Sequence, residues 1–135
     1  MEPAEFERAV REGFERLPAR VRKKIQNVAL LIEDEPSTLV RMQEKLRLGE
    51  TLLGLYQGIP LSARGDTYGI GMTVPDTITL YRKSIEEAAH EDGTDVRDVI
   101  ADTLWHEFAH HFGMDEHEVR KKEQKKRMVL AKRVL

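Results

Sequence analysis

No cysteine occurs among the 135 residues of this chain. Disulfides are therefore excluded, as is a closed structural metal site built on thiolates, and the composition suits a reducing, intracellular setting. No apolar run approaches the ~20 residues needed to span a bilayer, so no membrane partner is expected. The first eight residues are acidic and amphipathic and lack the basic and apolar regions of a secretory signal; the expected location is cytoplasmic. Charge of neither sign dominates, with 22 Lys and Arg against 24 Asp and Glu and a net charge of −2. That balance gives no global attraction for nucleic acid. The basic clusters Lys121-Lys122, Lys125-Lys126-Arg127 and Lys132-Arg133 read as a solvated helix face. Internal repeats and low-complexity segments are missing. So is a phosphate-binding loop, since Gly69-Ile70-Gly71 leads into Met72-Thr73-Val74-Pro75 and not into a helix start. A chain of this length is expected to form one domain, 1–135, around a single core.

Against these absences stands His106-Glu107-Phe108-Ala109-His110. Residues four apart share one face of a helix, so His106 and His110 can aim both imidazoles at a single metal ion. Glu107, one residue along, flanks that ion and can reach a water beside it. This is the HExxH arrangement, two ligands and a general base. Three fixed residues arise by accident in about one in several hundred chains of this length, which makes chance a weak account. The bland alternative is an amphipathic helix with two solvated histidines and a glutamate in a surface ion pair. It leaves the residues downstream of the motif unexplained.

Those residues are Gly113 and Glu116. Gly113 has the φ > 0 freedom that ends a helix and reverses the chain, and a carboxylate three residues later can return to the metal. Spacing favours Glu116 as third ligand, ahead of Asp115 and then His117. Asp115 also suits the N-cap of another helix, with Glu118 completing a capping box, while His117 sits one residue beyond the expected position. Two histidines and one carboxylate leave a fourth position for water, the pattern of a catalytic zinc site. His111 faces about 100° away from His110, and His90 lies in a polar stretch ending in Glu91-Asp92-Gly93. Neither reads as a ligand.

The run from His106 to Glu116 resembles the zincin metallopeptidases. With His110-His111-Phe112-Gly113 it is similar to a family of very small bacterial zincin-like proteins, the mini-zincins, which resemble metzincins reduced to a minimal scaffold. Their pattern is HExxHxxGxx(D/E), and the matching residues here are His106, Glu107, His110, Gly113 and Glu116. The resemblance implies Zn²⁺ as cofactor and a peptide or protein substrate lying extended along an edge strand above the metal. One feature departs from the metzincin pattern, which has a methionine turn downstream of the third ligand. Met114 lies inside the turn and Met128 in a charged helical pattern, so neither supplies one.

Periodicity places the remaining elements. Phe6, Val10, Phe14 and Leu17 predict a helix over residues 3–26, opened by Pro3 and broken or kinked at Pro18. Residues 28–32, all apolar, predict a buried strand, and 37–49 suit either a short helix or an ordered loop. Residues 51–60 predict an edge strand, because Gly54, Gly58 and Pro60 weaken it as a central one, and 53–59 is the candidate edge for an extended substrate. The glycine-rich stretch 62–75 reads as a loop and as an alternative substrate edge. Residues 77–81 alternate as a strand and 84–90 form a short helix. Thr94 is the expected N-cap of the motif helix, whose buried face is Val96, Val99, Ile100, Leu104 and Phe108; a final helix covers 116–134. The expected class is α+β, a minimal zincin-like fold in which a small mixed sheet packs on the motif helix, with flanking N- and C-terminal helices.

The residues support two functional readings. In the first, the chain hydrolyses peptide bonds by a zinc-activated water, with His106, His110 and Glu116 on the metal and Glu107 as general base. Tyr56, Tyr68 and Tyr81 are available to assist the oxyanion, and nothing in the sequence chooses among them. In the second, the same scaffold is a non-catalytic, zinc-containing module that binds a peptide or protein.

Overall fold

The structure is a computed structural model that describes residues 1–58 and 76–111. Helix α1 (Pro3–Glu15) starts with proline in its first turn and buries Phe6, Ala9, Val10 and Gly13, a three- and four-residue spacing that makes one apolar stripe. It does not continue to residue 26. Pro18 lacks an N–H and restricts the residue before it, so the chain turns at Arg16 and Leu17 and resumes as α2 (Ala19–Lys24), with a 3₁₀ turn over Ile25–Asn27 after it.

Strand β1 (Ala29–Glu33) pairs in parallel with β3 (Thr77–Tyr81), and β2 (Gly54–Gln57) pairs antiparallel with β3. The order β1-β3-β2 makes a mixed sheet with β3 in the middle. Among the described residues β2 lies at an edge, in agreement with the expectation for residues 51–60. The expectation of a buried strand at 28–32 does not hold, because Leu31 is 45% and Ile32 37% exposed. Among the described residues β1 is the other edge, and alternation turns Leu30 toward the core while Leu31 faces away. A continuous apolar run suggests cover on both faces, but among the described residues nothing covers Leu31 fully.

Between these strands lies α3 (Thr38–Gln43), N-capped by the Ser37 hydroxyl, which accepts from the Val40 amide at 3.2 Å. An ordered turn comes next, with the Arg41 guanidinium donating to the Glu50 and Arg47 carbonyls. Both halves of the open reading at 37–49 are thus present. Helix α4 (Arg82–Asp92) begins directly at the end of β3, earlier than expected, and stops at Gly93, whose φ of +65° is the left-handed cap that glycine adopts readily.

Helix α5 (Val96–His111) carries the motif. Its N-cap is Asp95, not Thr94: the Asp95 carboxylate accepts from the Arg97 amide at 2.9 Å. Arg97 also reaches Glu12 of α1, and Arg16, just after α1, reaches Asp98 and Asp95. These ion pairs hold Asp95 in the capping position. Helices α1, α4 and α5 share one core with the sheet, centred on Phe6, Ile78, Leu80, Ile85, Ile100 and Leu104. The architecture is α+β. The expected loop at 62–75 and helix at 116–134 lie outside the described residues.

Candidate metal and peptide site

The C-terminal half of α5 presents two faces. Leu104, Trp105, Phe108 and Ala109 are buried and anchor it in the core. His106 and Glu107 are half-buried and His110 is exposed. Helical spacing brings the two imidazoles together, with ring centroids 4.7 Å apart and planes at 63°. Two nitrogens bound to one zinc lie no more than about 4.2 Å apart, and rings at this separation can supply such a pair.

Glu107 turns toward the sheet. Its Oε2 accepts a hydrogen bond from the backbone N–H of Tyr56 in β2, at 3.1 Å. Gly54 makes that approach feasible. A Cβ at Gly54 would lie 2.7 Å from Thr103 Cγ2 of α5 and 3.2 Å from the Thr79 carbonyl oxygen, so any side chain there would push β2 off the motif helix. Glycine at this position weakens the strand as a strand and allows close contact as a neighbour.

Of the three candidate tyrosines, Tyr56 donates its hydroxyl to Asp76 Oδ2 at 3.0 Å. Tyr81 is buried, and that burial, reinforced by the negative charges of Glu33, Glu44 and Glu107, pushes its phenol up to about 12. It stays protonated at neutral pH. Tyr68 lies outside the described residues.

The structure therefore brings the His106 and His110 rings together and sets Glu107, on the same helix, against the Tyr56 amide, a partner no side-chain motif could have announced. Gly113, Glu116, Asp115 and His117 lie outside the described residues, as do Met114 and Met128, and so does any comparison among the three candidate third ligands. Among the described residues no three His, Cys, Asp or Glu side chains gather around one point. The donors that are described fit zinc: paired imidazoles, a neighbouring carboxylate, and no thiolate. His90, on the last turn of α4, is exposed.

A helix-borne histidine pair and carboxylate set against an edge strand of a small mixed sheet define an α+β domain built around an HExxH helix. The family model described as zincin-like metallopeptidase matches residues 25–126. The chain belongs to that family. No curated protein matches it. The matched stretch takes in the whole sheet and α5 but begins after α1 and α2, so the helix that braces α5 from the other side lies outside it. Among the described residues no helix is long and apolar enough to cross a membrane.

Proposed function

We propose that this protein is a zinc-dependent metallopeptidase in which His106, His110 and Glu116 hold the metal and Glu107 is the general base. The observation that carries this reading is the bond from Tyr56 N to Glu107 Oε2 beside the imidazole pair. It sets the base of the motif against the edge of a sheet, where an extended peptide can be laid down by strand addition. Bound zinc supplies Lewis acidity, which lowers the pKa of a water toward 7 and polarises a carbonyl. Glu107 takes a proton from the attacking water as its oxygen adds to the scissile carbonyl carbon. It then passes that proton to the amide nitrogen as the C–N bond breaks, so a carboxylic acid and an amine leave and Glu107 is regenerated as carboxylate. No covalent bond to the protein forms. The half-buried position of Glu107, tied to the β2 backbone, holds the carboxylate in one place through both proton transfers.

The test is cleavage of a peptide library by the zinc-loaded protein, with and without chelator. Chelator-sensitive cleavage is expected. Glu107→Gln should retain zinc and lose hydrolysis, whereas His106→Ala should lose both. Stoichiometric zinc with no chelator-sensitive cleavage by the wild type would sink the catalytic reading in favour of the peptide-binding module.

A further inference from the structure

The ladder between β2 and β3 determines which way each backbone group of β2 points. Tyr81 N donates to the Leu53 carbonyl at 2.9 Å, and the register continues Gly54↔Leu80, Leu55↔Thr79, Tyr56↔Ile78 and Gln57↔Thr77. In an antiparallel pair, hydrogen-bonded and non-hydrogen-bonded positions alternate. Leu53, Leu55 and Gln57 therefore turn their amides inward to β3, and Gly54 and Tyr56 turn theirs away from it. An outward amide on an edge strand is the donor an added peptide would take. At Tyr56 that donor is already engaged, with Glu107 as acceptor.

We propose that the Tyr56 backbone amide is a positioning group for Glu107, and that a substrate pairing with β2 does so without this donor. The inference rests on the peptidase reading, since it assigns the N–H to the alignment of the base and not to the binding of the peptide. An amide donating to a carboxylate is a charge-assisted bond, stronger than a neutral one. It restrains the χ angles of the Glu107 side chain, and restraint of a reacting group raises rate, not affinity. Gly54 acts one step further back, because the contact with Thr103 sets the distance across which Tyr56 and Glu107 meet.

An amide-to-ester replacement at residue 56, made by incorporating the α-hydroxy analogue of tyrosine, removes the N–H and keeps the side chain. On a fluorogenic peptide that the wild type cleaves, kcat should fall about tenfold or more, the scale of one hydrogen bond to a charged group. KM and zinc stoichiometry should hold. A kcat near wild type, or a rise in KM with kcat unchanged, would overturn the proposal and return the donor to substrate. A second measurement needs neither turnover nor the ester. In the wild type the Tyr56 amide proton should resonate downfield and exchange slowly, and in Glu107→Ala it should move upfield and exchange about tenfold faster or more. An amide insensitive to Glu107 sinks the inference whatever the enzyme does, whereas a sensitive amide in a protein without chelator-sensitive cleavage sinks only the peptidase reading.

Discussion

The two halves of α5 are built for different purposes. In its first half the helix is locked to α1: Ile100 is fully buried, Gly13 of α1 lies so close that an added Cβ would meet Ile100 Cγ2 at 2.8 Å, and Arg97 and Asp98 are paired with Glu12 and Arg16. In its second half it keeps Leu104 and Phe108 in the core but turns His106, Glu107 and His110 out of it. The difference teaches where precision comes from. A helix is stiff along its axis, so packing that immobilises residues 96–104 also fixes the direction in which 106, 107 and 110 point. The half with the candidate site can then tolerate half-exposed polar groups.

If this division is right, substitutions in the two halves should separate activity from stability. The largest effect belongs to Glu107→Gln, which should lower kcat by about 10²- to 10⁴-fold, the usual contribution of a general base, and leave the melting temperature and zinc content near wild type. Ile100→Ala should do the reverse. It should cost about 2–5 kcal/mol of unfolding free energy against a typical total of about 5–15, measured by denaturant melts. Well below the transition kcat should barely change, and a proportionate loss of kcat would show that the halves are not separable. Gly13→Ala tests the same contact from the α1 side. Helix propensity alone favours alanine by about 1 kcal/mol, but the new methyl meets the Arg97 carbonyl oxygen and the Ile100 side chain at 2.9 and 2.8 Å, so overpacking at about 1–3 kcal/mol should win and Tm should fall. A higher Tm would mean that α1 and α5 are not packed this tightly.

The smallest effect lies at the N-cap. The Arg97 guanidinium and the Arg97 amide hold the Asp95 carboxyl well below the usual carboxylate range, with Arg16 assisting. Because the folded-state value is depressed, this contribution to stability is present above the unfolded value of about 4 and is lost as pH falls toward the folded one. Asp95→Asn should therefore remove a small part of the acid-induced drop in Tm below about pH 4. Thermal melts across that range check it, and a curve parallel to wild type would break the link.

Legibility in the sequence tracks the range of the interaction involved. The motif helix and its buried face could be read because a 3.6-residue period is a local property, and Val99, Ile100, Leu104 and Phe108 are buried as that period requires. Choosing between Thr94 and Asp95 as cap is not a local matter. Either residue can cap a helix, and the ion pairs of Asp95 with Arg97 and Arg16, together with the Arg97 link to Glu12, decide in favour of the second. The apolar run at 28–32 suggests burial, yet whether a strand is covered depends on what packs over it, which a strand's own residues do not specify. At the site, His106, Glu107 and His110 are visible as side chains, whereas the Tyr56 amide is invisible because every residue but proline has one. Gly54 is the available signal. A glycine inside a strand marks either weakness or close approach, and only the position of Thr103 distinguishes them.

By itself, then, the order of residues determined that a helix would present two imidazoles and a carboxylate at i, i+1 and i+4, because the geometry of one helix requires nothing beyond itself. Tertiary structure decided what those groups face. The tight seat of α5 on α1 and the glycine that brings β2 against Thr103 place the edge-strand amide 3.1 Å from the Glu107 carboxylate, a contact between residues 51 positions apart in the chain that no local pattern encodes.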